Sequence, residues 1–451
     1  MVSKIEVDTV VNQSGDQDSG LDLSTNDAVK TNIAGSEKLK TDANSHLTTT
    51  TAGTSNFVLG VNAGNSIASG GNYNVALGDE AGTAINTGDN NTVVGYQAGD
   101  AITTGGGNVA IGSGALSAGD TDSNSVAVGY NALALLNVGG NSNVAVGYNA
   151  LTNNVSGGNN TAIGTNALTA QNTSGGASDT HNTAVGNSAG SAVTSGTNNV
   201  FIGSLAGAKS TTSSHNVAIG YGTFGGVDGS AANTGQQNVC IGRFAGRNLE
   251  GDADNAVLVG DGAGENMTTG DGNICIGHDA GITGSPGGNI TTGGGEIALG
   301  DNSIASFSCK VSLTATSDER DKTDFKDLDL GLDFVKALKP VTYVWDSRLN
   351  YVDKTKDDWK STVDLDKVVS DGSKKDDDLQ VGFKAQDVIA LEDSAGYKLS
   401  DKTNLTATLT SDGKQYGLRY ERFVPMLVKA VQELSSKNDA LEARIKKLED
   451  G

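Results

Sequence analysis

From about residue 55 to residue 300 the chain repeats one short unit, N-x-V-A-I-G-x-x-A-G, and that repeat leaves few folds open to it. Copies read NYNVALGDEAG around Gly78, NSNVAVGYNAL around Gly147, HNVAIGYGTF around Gly220 and NICIGHDAG around Gly277. Fourteen motif glycines, Gly60, Gly78, Gly95, Gly112, Gly129, Gly147, Gly164, Gly186, Gly203, Gly220, Gly242, Gly260, Gly277 and Gly300, lie 17 or 18 residues apart, except for three intervals of 22, 22 and 23. A fixed period broken by insertions of about five residues is the mark of a solenoid, and the unit is too short for a pair of helices.

Within each unit β-branched residues alternate, as at Val144 and Val146 or Val217 and Ile219, which reads as the buried face of a strand. Between them stands a small residue, Ala76, Ala110, Ala127, Ala145, Ala162 or Ala218, as if another chain or coil approached that side closely. Cys240 and Cys275 take the same place and read as core-filling replacements for alanine. Asn stands four residues before the glycine in eleven of the fourteen units, so stacking predicts an amide ladder along the axis. The glycines supply positive φ at the corners. One coil cannot bury its own apolar face, but a stack at about 4.8 Å per coil can, giving a rod of roughly 65–70 Å.

Glycine is 63 of 451 residues and proline only three (Pro286, Pro340 and Pro425), with no G-X-Y period, which excludes collagen. Net charge is −22; residues 1–316 hold 8 basic and 25 acidic side chains, and residues 317–451 hold 23 and 28. A first part almost without Lys and Arg argues against nucleic acid and against anionic membrane surfaces. No apolar stretch approaches the length of a membrane span, and the start, MVSKIEVDTVV, lacks a charged region followed by an apolar run. The expectation is a chain made in the cytoplasm, without membrane insertion. Cys240, Cys275 and Cys309 form no CxxC, so no disulfide framework is expected, and the four histidines show no metal-ligand spacing.

After residue 310 charge rises and both tryptophans, Trp345 and Trp359, appear. Four blocks follow in order: SDERDK (Ser317 to Lys322), GLDFVKALKPVTYVW (Gly331 to Trp345), VGFKAQDV (Val381 to Val388) and LRYERFVPMLVKAVQEL (Leu418 to Leu434). The end is a heptad pattern, with Val424, Val431, Asn438 and Ile445 at a and Leu427, Leu434, Leu441 and Leu448 at d, where Asn438 would set register. The pattern alone does not choose the number of strands.

Together the four blocks resemble the intramolecular chaperone domain of endosialidase-type bacteriophage tail spikes and fibres. The resemblance implies a homotrimer and a serine–lysine dyad, with Ser317 as nucleophile, Lys322 as its base and cleavage between Thr316 and Ser317. Such chemistry asks for a lysine whose charge is disfavoured by desolvation, because a serine hydroxyl is a poor nucleophile until a base takes its proton. Positions i and i+5 lie about 140° apart on a helix, so the dyad needs a turn built by Asp318, Glu319, Arg320 and Asp321. Asp321 departs from the family's usual apolar residue, and a carboxylate there favours the charged lysine. The repeat resembles the shorter N-x-A-I-G units in heads of trimeric autotransporter adhesins, which form β-rolls in trimers. The opening SKIEVDTV resembles the beginnings of phage tail-fibre proteins, the end that attaches to the virion.

The expected architecture is therefore mainly β, a trimeric β-solenoid of about fourteen repeats followed by a small α+β chaperone domain ending in a coiled coil. Its parts are an attachment segment at 1–54, the shaft at 55–300, a linker at 301–316, the self-cleaving domain at 317–422 and the coiled coil at 423–451. The function expected is a tail fibre of the virion, synthesised in the host cytoplasm, held by a tail or baseplate protein and touching a host glycan or outer-membrane protein. Tyr96, Tyr130, Tyr148 and Tyr221 each follow a motif glycine and could form one exposed recognition stripe. Asp252, Asp254, Asp261 and Asp271 sit in Gly/Asn loops but show no calcium-repeat pattern, so neither a metal nor a cofactor is expected. The alternative, a polysaccharide-degrading spike, would need a carboxylate pair and aromatic platforms. Residues 55–300 have no Trp, and Glu80, Glu250, Glu265 and Glu296 are scattered.

Overall fold

The computed structural model describes residues 20–22, 30–33, 36–41, 47–49, 51–137, 139–172, 178–226, 231–310, 314–356 and 359–451. Ile5, Val7, Val10 and Val11 lie outside them, as does much of the expected attachment segment. The chain forms two compact units, the first closing at Asn273 and the second opening at Ile274.

The first unit begins with four short antiparallel strands, Gly20–Asp22, Lys30–Ile33, Ser36–Thr41 and Leu47–Thr49, paired in chain order. Twelve three-residue strands follow, one per repeat, from Phe57–Leu59 to Val257–Val259. They pair parallel and in register, as in Val144↔Thr161, Ala145↔Ala162 and Val146↔Ile163. This is a β-solenoid of stacked coils, as the period predicts.

The strands face the other way from the sequence expectation. Ala76, Ala110, Ala127, Ala145, Ala162 and Ala218 are fully buried inside their coils, whereas Leu77, Ile111, Ile163, Ile202 and Ile241 stand exposed on the outside. The reason is space. The interior of a coil must also take the second alanine of the unit (Ala81, Ala98, Ala115) and a larger side chain such as Ile85 or Ile102, so at close packing mostly a methyl group fits at the strand centre. Where Phe201 stands there instead, Gly190 and Gly207 flank it, and a Cβ on either would lie 2.8 or 2.7 Å from its ring. Cys240 and Cys275 are buried in line with Ala218 and Ala298, as their positions in the repeat imply.

The asparagines form the ladder. Asn91 N–H donates to Asn74 Oδ1 at 2.9 Å and Asn108 N–H to Asn91 Oδ1 at 3.0 Å. Most rungs run from a side-chain oxygen to the next coil's backbone; amide-to-amide bonds join Asn199 to Asn182 at 3.0 Å and Asn216 to Asn199 at 3.1 Å. At the corners Gly147 has φ +137°, and a Cβ there would lie 2.6 Å from the carbonyl oxygen of Gly164 in the next coil. Only glycine permits that backbone and that approach.

The second unit starts with two more repeat strands, Ile274–Ile276 and Ile297–Leu299, paired parallel. Its helices are α1 (Leu332–Ala337), α2 (Trp359–Thr362), α3 (Ala385–Ser394) and α4 (Phe423–Glu449). Two small two-stranded antiparallel sheets pair Val341–Tyr343 with Gln380–Gly382 and Ala407–Leu409 with Tyr416–Leu418. One core holds Leu330, Phe334, Val388, Phe423 and Met426; a second joins Ile282 to Leu349, Trp359 and Leu365. No helix of the described residues is long and apolar enough to cross a membrane.

Candidate active site

The segment that should hold the dyad is a single 3-10 turn, Glu319–Asp321, as the i to i+5 spacing requires. Asp318 caps it: its carboxylate accepts from the Arg320 backbone N–H at 2.9 Å and pairs with the Arg320 guanidinium at 2.7 Å. The Arg320 side chain, with its backbone N–H, holds the Asp318 carboxyl below the usual carboxylate range. Lys322 closes the turn through its backbone N–H to Glu319 O. This geometry carries the Lys322 ammonium back over the turn, and its Nζ lies 2.5 Å from Ser317 Oγ. Among the described residues no ion pair joins Asp321 to Lys322; the local carboxylate in use is that of Asp318.

Thr316, Ser317, Asp321 and Lys322 are all exposed on the single chain. The turn thus sets the distance a nucleophile and base need, while one chain does not provide the dry surroundings that would favour an uncharged lysine.

Further along the domain, α1 packs on α4. Glu433 on α4 accepts from the Leu332 N–H at 2.8 Å, at the part-buried start of α1. A Cβ at Gly331 would lie 2.4 Å from Glu433 Oε1, so glycine opens the space for this cap. Sequence reading missed Glu433, because the block Leu418–Leu434 also holds Arg419, Glu421, Arg422 and Lys429 and nothing there marks one carboxylate out. α4 turns Phe423, Met426 and Ala430 inward. Every a and d position of the heptad except Asn438, from Val424 and Leu427 to Ile445 and Leu448, is an exposed large apolar side chain. The seam is therefore not the face packed on the domain, even over residues 424–434. Asn438 is exposed and bonds Glu442 on the same helix at 3.1 Å.

The tyrosines are exposed at equivalent positions of their coils, but they do not run unbroken through consecutive coils. Tyr130 and Tyr148, in adjacent coils, stack at 5.5 Å, while Tyr221 meets Phe244 edge-on at 5.4 Å. Tyr96 is exposed and Ser113 takes its place in the coil between it and Tyr130. Asp254 and Asp271 accept backbone N–H groups of the preceding coil, from Gln236 at 2.6 Å and Asp254 at 2.9 Å, and Asp261 pairs with Arg243. Among the described residues no three His, Cys, Asp or Glu side chains converge as a metal site would require.

Residues 317–397 match a family named as a peptidase and described as the chaperone of endosialidase. The match begins at Ser317 and spans the first three of the four sequence blocks; the fourth, with α4, follows it. No curated protein and no solved structure matches the chain. Residues 317–397 are thus a chaperone-of-endosialidase domain, and this domain together with a β-solenoid of stacked coils agrees with a tail fibre that ends in a chaperone domain.

Proposed function

We propose that the chain is the shaft of a phage tail fibre, trimerised by its C-terminal domain, which then severs itself from the shaft between Thr316 and Ser317. The observation that carries this is the Ser317 Oγ–Lys322 Nζ contact of 2.5 Å at the first residues of the chaperone match. Ser317 Oγ attacks the carbonyl carbon of Thr316 while Lys322 Nζ takes the hydroxyl proton. The peptide C–N bond breaks, the proton passes to the departing Ser317 amine, and an ester remains between Thr316 and Ser317 Oγ. Water then hydrolyses the ester, leaving a Thr316 carboxylate and the Ser317 hydroxyl. Lys322 acts as a base only where its charged form is disfavoured. Since the dyad is exposed on one chain, assembly with two more copies is the step that encloses it.

The uncovered seam of α4, eight positions at alternating spacings of three and four, supports self-assembly of the chain, and the number three comes from the family resemblance. A rod of near-identical coils has many slipped registers of similar energy, and a C-terminal trimer that levels the three chains first removes them. The virion attachment of the N-terminus and the host contact follow from the tail-fibre reading. The test is intact-mass measurement of purified wild type and Ser317→Ala. Wild type should yield fragments ending at Thr316 and starting at Ser317, and Ser317→Ala a full-length chain. Fragments of the same masses from Ser317→Ala, without added protease, would end the reading.

A further inference from the structure

The interval between the last two motif glycines, Gly277 and Gly300, is the longest in the repeat. Its extra residues, within Ile282–Gly288, are where the second unit joins repeat to chaperone. Ile282 is buried against Leu349, Trp359 and Leu365. Gly284, at φ +85°, lies so near Leu349 that a Cβ would stand 2.7 Å from its Cδ1. At Gly288 a Cβ would be 2.5 Å from Thr410 Cβ. Ser285 O accepts from Gln415 Nε2 at 2.9 Å, and Asn289 N–H donates to Asp412 Oδ2 at 2.9 Å. Beside them Lys360 Nζ meets Asp279 Oδ1 at 2.6 Å, the two side chains only 17% and 9% exposed. Two glycines, an apolar anchor and an enclosed ion pair make this a built contact rather than a brush between neighbours.

All the groups on one side of this contact precede Thr316, and all those on the other follow Ser317. We infer that the domain severed at Thr316–Ser317 is not shed: it stays bound as a non-covalent cap on the terminal coils, held by Leu349, Trp359 and Lys360 against Ile282, Gly284 and Asp279. The peptide bond at the cleavage point crosses none of these interactions, and residues 314–316 leading to it are exposed. Cutting removes a tether, whereas leaving would strip Ile282 of its cover and take Lys360 from Asp279, which then keeps only His278 at 3.6 Å. A terminal coil needs a cap because no further coil stacks on it; here Leu349, Trp359, Leu365, Thr410 and Gln415 provide one.

The inference rests on the cleavage reading for its biological setting, but its test does not. A recognition sequence for a site-specific protease is inserted between Thr316 and Ser317 in the Ser317→Ala chain, which is then cut and passed over gel filtration in native buffer. Two bands on a denaturing gel from one native peak are expected. Lys360→Glu should shed the small fragment at least about a hundred-fold faster, the consequence of leaving like charges in an enclosed site. Asp279→Lys combined with Lys360→Glu should restore retention, which a merely misfolded variant would not do. Separation of the wild-type fragments overturns the inference, and so does retention undiminished by Lys360→Glu, since another contact would then hold the fragment. Failure of self-cleavage shows separately, as intact wild type on the denaturing gel.

Discussion

Asn199→Ala tests how far the amide ladder holds the solenoid. Asn199 is fully buried. Its Oδ1 accepts the Asn216 backbone N–H at 3.0 Å and the Asn216 amide at 3.1 Å; its Nδ2 donates to Ser213 O at 2.8 Å and to Asn182 Oδ1 at 3.0 Å. Alanine leaves one backbone N–H and one backbone carbonyl without these partners in a dry interior, at about 1–3 kcal/mol each. The local loss is about 2–6 kcal/mol, or roughly 30-fold to 20,000-fold in the opening equilibrium. A solenoid couples each coil chiefly to its neighbours, so the loss should stay local. The protein carries its own control: Ser125 stands at a ladder position, and its Oγ accepts the Asn143 N–H at 3.3 Å. Asn199→Ser should therefore be milder, keeping one acceptor and losing the donor. Hydrogen–deuterium exchange reads both effects, with faster exchange over residues 213–220 and little change over residues 74–95. If residues 213–220 in Asn199→Ala stay within about threefold of wild type, the ladder is ornamental and the reasoning fails.

Thiol reagent at pH 8 should modify one cysteine per native chain, Cys309, and all three after denaturation. Burial, with Glu296 nearby, pushes the Cys275 thiol up to about 12, and Cys240 is equally buried; a native count of three would contradict the coil interior. In the second unit Lys414 bonds Asp364 at 3.1 Å and Asp366 at 2.6 Å and holds both carboxyls below their ordinary values. Depressed carboxyls stabilise above about pH 4, the unfolded value, and that contribution fades as pH falls through the lowered ones. Lys414→Met should therefore flatten the acid limb of thermal stability, and added salt should shrink the difference; parallel acid limbs would refute it. Ile445→Glu, on the exposed seam, should leave the helix intact by circular dichroism but lower the sedimenting mass; an unchanged mass would remove the seam from assembly.

Much of the shaft was legible because its signals are local and repeated. A glycine needed for a backbone corner, an asparagine needed for a buried N–H and a two-residue alternation recur in nearly every unit, so chance cannot imitate them. The orientation of the strands was not legible. Alternation distinguishes two faces without telling which is dry, and at Ala145 the decision falls to coil width, which depends on Ala150 and Leu151 sharing the same interior. α4 divides in the same way: the heptad from Val424 to Leu448 was plain, whereas the face turned to the domain, Phe423, Met426 and Ala430, is set by what α1 and α3 offer it.

The sequence by itself determined the period, the ladder, the corners and the turn between Ser317 and Lys322, since each depends on neighbours within one repeat or six positions; the roles given to Ser317 and Lys322 came from the family resemblance. The tertiary structure alone decided that Ser317 and Lys322 lie at the surface of a single chain, that isoleucine and leucine line the outside of the solenoid, and that the irregular interval after Gly277 is a docking loop. Those outcomes join residues such as Asp279 and Lys360 or Ser285 and Gln415, 81 and 130 positions apart. No local pattern encodes such a pair, because each partner's environment exists only once the other has arrived.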